Sequence, residues 1–358
     1  MSLVIDGGRV PSGWAAKKSH HPETSADNFS SPAEAVRIAF INNMPDSALE
    51  DTEMQFFELL DAAAGTTPVH LRLFSLPGVP RSDRGVQHLS RYYSGIADLW
   101  SSRVDAVVMT GTEPRQPNLR DEPYWPVLTT VLDWAERETV STVLSCLAAH
   151  AAVLHSDGIA RHPLSDKQFG VFDYKKTCEH PLTSHTKGSW RFPHSRWNEV
   201  REDALTSCGY TVLANSHDAG VDSFIKVKKK SLFVHFQGHP EYSSRTLLKE
   251  YRRDIKRFLR SERETYPSMP KGYFDAAATA RLKDFQMQAQ SRPSEEIMGL
   301  FPEGLVSGGL KNTWQSSAVC MYQNWLHYIL SKKAGARAIP PATGLGHARS
   351  TVFSNEVA

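Results

Sequence analysis

Four short runs of strand-forming residues recur along the first part of the chain, at 36–41 (VRIAFI), 69–74 (VHLRLF), 106–109 (AVVM) and 141–145 (STVLS). Helical patterns separate them. At 49–60, Met54, Phe57, Leu59 and Leu60 recur at three- and four-residue spacing, and 89–100 and 125–138 read the same way. Strands that alternate with helices are joined by right-handed crossovers, so the expected fold is α/β, a mostly parallel sheet with flanking helices. After Val171 the pattern changes: strand candidates at 210–214, 223–227 and 232–236 follow one another without long helices. Lys228-Lys229-Lys230, between the last two, reads as a solvated hairpin tip, and a helix at 244–259 closes the core.

The rest of the chain lacks clear periodicity. Residues 1–33 are rich in Ser, Pro, Gly, His and Lys and read as a poorly ordered leader. Residues 34–330 read as a single domain with an insertion or mobile flap at about 260–312, followed by a helix at 314–330. Residues 331–358 carry Gly-Ala-Gly, Pro-Pro and Gly-Leu-Gly and read as a disordered tail.

Composition narrows the function classes. The 358 residues are 40% hydrophobic and 22% charged, ordinary for a soluble globular protein. Lys+Arg 41 against Asp+Glu 39 gives a formal charge of +2, without the broad basic field of a dedicated nucleic-acid binder. No apolar run reaches the roughly 18 residues of a membrane span, and the start of the chain has no secretory apolar segment. Cys146, Cys178, Cys208 and Cys320 are too scattered for a disulfide framework, and no Cys-x-x-Cys pair suggests zinc. The expectation is a cytoplasmic, reduced protein with no metal, no nucleic-acid partner and no membrane partner.

The informative junction is Val143-Leu144-Ser145-Cys146-Leu147-Ala148-Ala149-His150, where an apolar strand runs straight into an Ala-rich helix. In parallel α/β sheets, ligands bind beyond the carboxyl ends of the strands. A sharp strand-to-helix turn there projects its side chain into that crevice, as a nucleophile elbow does. The helix N-terminus behind it favours a thiolate and supplies N–H donors for an oxyanion. An inert buried cysteine at a strand end fits the position too, and the Gly-x-Cys-x-Gly form of an elbow is absent. A second cluster, Gly238-His239-Pro240-Glu241-Tyr242, follows directly on the strand at 232–236. His239 and Glu241 are two residues apart, on one side of an extended segment. His239 suits a base for Cys146 and Glu241 an orienter of its far nitrogen, although a surface loop with an incidental His and Glu is the plainer alternative. The order Cys…His…Glu favours a triad and acyl chemistry through a thioester.

With Ser145-Cys146-Leu147-Ala148, Gly238-His239-Pro240-Glu241-Tyr242 and Glu250-Tyr251-Arg252-Arg253-Asp254 in place, the chain resembles the homoserine O-acyltransferase family of methionine biosynthesis. The branch is the one related to class I glutamine amidotransferases, not to α/β-hydrolases. Asn43-Met44-Pro45, Thr110-Gly111, Tyr124-Trp125-Pro126, Pro193-His194-Ser195-Arg196 and Asn324-Trp325-Leu326 add to the resemblance, which covers about 35–260 and 314–330. It implies a class I glutamine amidotransferase-like (flavodoxin-like) architecture and a ping-pong reaction. Cys146 takes an acyl group from acyl-CoA, and the hydroxyl of L-homoserine accepts it. His239 is the base, Glu241 its orienter, and the backbone N–H groups of Leu147 and Thr112 the oxyanion donors. Arg253 matches the family's substrate-binding arginine, and Lys167 and Ser195 match other substrate-contacting positions; each also fits a solvated surface residue. Acyl-CoA enters as co-substrate rather than as a resident cofactor, and the family often forms homodimers, which the composition of this chain does not itself indicate.

Two departures bear on specificity. After Thr110-Gly111 the chain reads Thr112-Glu113-Pro114-Arg115-Gln116, which sets Arg115 at or near the residue associated with acyl choice. An arginine there pairs with a succinyl carboxylate, favouring succinyl over acetyl; a one-residue slip puts Glu113 there and reverses the inference. After Pro45 the chain has Asp46-Ser47-Ala48-Leu49 instead of a lysine-rich helix start. The rival readings are a cysteine amidohydrolase of glutaminase type and a non-catalytic ligand-binding protein on the same scaffold.

Overall fold

The computed structural model describes residues 2–6, 9–19 and 35–338. Its strands are β1 (Leu3–Ile5), β2 (Val36–Ile41), β3 (Val69–Phe74), β4 (Ala106–Met109), β5 (Ser141–Ser145), β6 (His162–Lys176), β7 (Ser189–Glu199), β8 (Thr211–Ser216), β9 (Gly220–Lys228) and β10 (Ser231–Phe236). They form one sheet in the order β1-β3-β2-β4-β5-β10-β9-β8-β6-β7. Pairings from β1 to β10 are parallel, and those beyond β10 are antiparallel. The helices are α1 (Ser12–Ser19), α2 (Asp46–Ala64), α3 (Asp83–Tyr92), α4 (Trp125–Glu138), α5 (Leu147–Asp157), α6 (Glu202–Ser207), α7 (Thr246–Leu259), α8 (Ala276–Ser291), α9 (Glu303–Gly308) and α10 (Gln315–Ala338).

Both faces of the parallel half are covered, which is why its strands read as near-continuous apolar runs. Val36, Ile38 and Phe40 of β2 pack with Phe56, Phe57 and Leu60 of α2 and with Trp325 and Ile329 of α10. Ala39 and Ile41 point to the other face, among Leu128, Val131 and Leu132 of α4 and Ala148, Ala151 and Ala152 of α5. Register then fixes where the site lies. Ile41 pairs with Met109, Met109 with Leu144, and Ser145 with Phe236. The residues that follow β2, β4, β5 and β10 therefore emerge side by side at one edge of the sheet, where α/β proteins bind ligands.

Four stretches differ from the sequence expectation. Inside the supposed leader, β1 pairs with β3, and Trp14 of α1 is fully buried edge-on to Phe57. Three strand residues and one anchoring indole carry too little periodicity to be seen without their partners; residues 20–34 lie outside the described residues. The expected helix at 89–100 divides into α3 and a 3₁₀ turn at Ile96–Leu99, split at Ser94-Gly95.

The supposed flap at 260–312 is docked: Leu282, Phe285 and Ala289 of α8 and Val306 of α9 are buried in the main core, and Lys271 bridges by backbone to Phe169 and Val171. The tail expected from 331 is instead helical as far as Ala338, where α10 ends; 339–358 lie outside the described residues. No helix among the described residues is long and apolar enough to cross a membrane.

Candidate active site

Cys146 is the residue between β5 and α5 and adopts φ 53° and ψ −113°. Positive φ is strained for a residue with a Cβ and needs surrounding contacts to hold it. The strain is held in place because the Cys146 N–H donates to Phe236 O at 2.7 Å, fastening the elbow to the end of β10. The turn has the shape of a nucleophile elbow without its two glycines; in the Gly-x-Cys-x-Gly spacing, the buried Leu144 and Ala148 occupy those positions.

On the neighbouring strand end, the path from β10 turns at Pro240, with the Tyr242 N–H donating to His239 O at 3.2 Å. The segment is bent rather than extended, since a proline presets the φ such a turn needs. The expected contact still forms: His239 Nδ1 and Glu241 Oε1 are 2.8 Å apart, and both side chains are buried. Ser145 Oγ donates to the same Glu241 oxygen at 3.2 Å. The Cys146 and His239 side chains, at neighbouring strand ends, interact electrostatically. Burial opposes a charged His239, yet the charges of Glu241 and Cys146 and their hydrogen bonds hold it well above the usual imidazole value. The Tyr242 ring stacks on His239 with centroids 4.1 Å apart.

The sequence did not reveal what holds this turn. Gln237 is fully buried: its Oε1 accepts from Val200 N–H and His150, and its Nε2 donates to Val200 O and Val221 O. Asp222 accepts from Gly238 N–H at 3.2 Å and faces His194 Nε2 at 3.2 Å. Gly238 is required here, because a Cβ would come within 2.5 Å of His194 Nε2 and 2.6 Å of Asp222 Oδ1. The Arg196 Nε–H donates to His194 Nδ1, which leaves the His194 proton on Nε2, between Asp222 and Tyr174. Gln237 and Asp222 carry no sequence signal of their own; His194 sat in a block quoted for the resemblance.

Opposite the elbow, the loop after β4 closes on α5. Gly111 lies so near that a Cβ would sit 2.6 Å from Leu147 Cβ. Asn43 sets this loop: its N–H donates to Thr110 Oγ1 at 2.8 Å and its Nδ2 to Thr110 O at 3.1 Å. Leu147 begins α5, where backbone N–H groups have no intrahelical acceptor, and Thr112 lines the same slot. The buried Glu122 holds the following turn by accepting from the backbone of Arg115 and Gln116. The Arg115 side chain is exposed and has no hydrogen bond or ion pair among the described residues, whereas Glu113 pairs with Arg257 at 3.5 Å.

Lys167, Ser195 and Arg253 come together through two carboxylates of α7. Lys167 Nζ donates to Asp254 at 2.9 Å and lies 3.6 Å from Glu250. Ser195 Oγ donates to Glu250, and Tyr242 Oη donates to that residue's other oxygen at 2.7 Å. Arg253 donates to Asp254 at 3.0 Å and remains 44% exposed, so its guanidinium is still open to a ligand. The Tyr242–Glu250 bond joins this polar cluster to the His239 turn. Glu250 links the two, and its sequence context alone does not show that role.

The buried histidines also predict how stability depends on pH. Burial lowers His150 to about 3, His194 to about 4 and His235 to about 3, from 6.5. Below pH 6.5 the unfolded chain takes up protons that these three refuse, so stability is full above that value and is lost as pH falls toward 4. Each adds a slope of about 1.4 kcal/mol per pH unit. His239, raised in the fold, acts in the opposite sense: its contribution is full below 6.5 and lost as pH rises through its native value. Urea unfolding across this range is expected to give maximal stability near neutrality with a steep acid limb; a flat acid limb would contradict neutral burial of the three.

Among the described residues, no group of three or more His, Cys, Asp or Glu side chains is placed to hold a metal ion. Residues 23–336 match the family model for homoserine O-succinyltransferase. The homoserine O-succinyltransferase of Methylorubrum extorquens (strain DSM 6343 / CIP 106787 / DM4) is 44% identical over 299 residues, covering 84% of this chain and 88% of that one. That of Rhodopseudomonas palustris is 40% identical over 333 residues, covering 93% and 100%. Among solved structures, a glutamine amidotransferase from Thermotoga maritima aligns with 82% of this chain and 98% of its own, at 11% identity and a TM-score of 0.45. On the family match and these relatives, the chain belongs to the homoserine O-succinyltransferase family of acyltransferases.

Proposed function

We propose that the protein transfers a succinyl group from succinyl-CoA to the hydroxyl of L-homoserine through an acyl-cysteine on Cys146, as a cytoplasmic enzyme of methionine biosynthesis. The observation that carries the reading is the Cys146–His239–Glu241 arrangement beside the Lys167, Ser195 and Arg253 cluster. In the first half-reaction, the Cys146 sulfur attacks the thioester carbonyl, and the coenzyme A thiolate leaves with the proton held on His239. In the second, His239 takes the proton of the homoserine hydroxyl as its oxygen attacks the acyl-cysteine, and the Cys146 thiolate departs. Exchange between thioesters is nearly isoenergetic, so the site has to supply position and oxyanion stabilisation. The N–H groups of Leu147 and Thr112 suit the oxyanion, and no resident cofactor is needed. The half-open Arg253 suits the amino acid's carboxylate, with Glu250 near its ammonium.

The test is intact-protein mass after incubation with succinyl-CoA or acetyl-CoA alone, followed by addition of L-homoserine. A succinyl adduct that L-homoserine discharges is expected. Preference for acetyl would overturn the donor, and discharge only by another hydroxy amino acid would overturn the acceptor. No adduct with either donor would favour a hydrolase.

A further inference from the structure

α7 carries Lys249, Arg252, Arg253, Lys256 and Arg257, and its C-cap is Arg260, spaced so that all six share one helical face. Leu247, Leu248, Tyr251, Ile255 and Leu259 occupy the buried face. Together with Glu262, the six cations line an open groove of about 380 Å³. Like charges three and four positions apart on a helix repel one another, so the row is costly by itself. Acids from four other segments offset it: Asp51 with Lys249 at 2.7 Å, Glu303 with Arg252 at 2.7 Å, Glu113 with Arg257 at 3.5 Å, and Glu295 with Arg260. These pairs are at or near the surface, where ion pairs are weak and exchangeable. The Lys256 side chain has no hydrogen bond or ion pair among the described residues and acts on Glu295 through its field.

The groove also has a direction. At one side, Arg253 joins it to the Lys167–Asp254–Glu250 cluster, and Arg257 joins it to Glu113, next to Thr112 of the loop that closes on Leu147. A ligand suited to it carries several negative charges at one end and leaves its other end free to run toward the loop after β4. We propose that the cationic groove along α7 binds the phosphate groups of the acyl-CoA donor, while its uncharged pantetheine arm extends to Cys146. The proposal rests on the acyl-CoA reading above and adds to it the surface that selects coenzyme A over shorter thioesters.

The test compares wild type with a Lys256→Gln/Arg260→Gln double variant, using succinyl-CoA and the succinyl thioester of N-acetylcysteamine, which has no phosphate. The expected result is a KM for succinyl-CoA raised about tenfold, the size of one good contact. The kcat holds, the truncated thioester reacts equally with both proteins, and added salt raises the wild-type KM only for succinyl-CoA. Equal kinetics of the two proteins toward succinyl-CoA, or an equal rise in KM for both donors, would overturn the groove and leave the acyl transfer standing. Acylation of wild type by neither donor would overturn the acyltransferase reading itself. Unchanged turnover of the truncated thioester also serves as proof of folding for the variant.

Discussion

A Cys146→Ala protein is expected to gain no mass from succinyl-CoA and to lose at least about 10⁴-fold in kcat, since a nucleophile removed from a group acting as a unit leaves only binding and oxyanion effects. The other cysteines are poor substitutes. The Cys178 thiol donates to Val212 O, and the Cys320 thiol donates to Ser184 O and is pushed up by burial. Neither they nor Cys208 are on strand ends at the site edge. Alanine carries the same Cβ as cysteine at φ 53°, so the variant keeps the strained turn and its bond to Phe236 O. Near wild-type unfolding in urea would separate lost chemistry from lost fold. Retention of more than a hundredth of the activity would mean that the thiol is not the acyl carrier.

Glu241→Gln is expected to lower kcat/KM by about 10²- to 10⁴-fold, the usual range for disabling a positioned general base. Glu241 accepts from His239 and Ser145 through one oxygen, and its other oxygen has no partner among the described residues. Its charge is the first of the influences that hold His239 upward against burial. Glutamine keeps the shape and removes that charge, so His239 gives up its proton at lower pH. The pH at which the His239 ring loses its proton, followed by NMR of the imidazole, should therefore move to lower values in the variant. An unshifted titration with reduced turnover would mean that Glu241 serves packing alone.

The site was legible in the sequence where chemistry sits on strand ends. The runs ending at Ile41, Met109, Ser145 and Phe236 are apolar because both sheet faces are covered, and the residues that follow them build the site edge. The parts that stayed hidden depend on contacts between distant segments. β6 and β7 mix exposed and buried positions along a long hairpin, so neither shows a clean alternation. In α8, Ala278, Leu282, Phe285 and Ala289 do follow helical spacing, but the surrounding Pro, Gly and charge outweighed it. Gln237 and Asp222 act through backbone groups of other strands, which no local pattern announces. Arg115 shows the reverse case: its residue type suggested a role, yet the turn that holds it leaves its side chain exposed.

Because β5 and β10 are neighbours in the sheet but far apart in the chain, Cys146 and His239 meet only after about two thirds of the protein has been made. A ribosome that has delivered Cys146 still has to deliver Glu241, and later α10, whose Trp325 indole donates to Ser141 Oγ in β5 at 2.9 Å. A copy that stops before His239 holds Cys146 without the imidazole and carboxylate that stand beside it in the completed sheet.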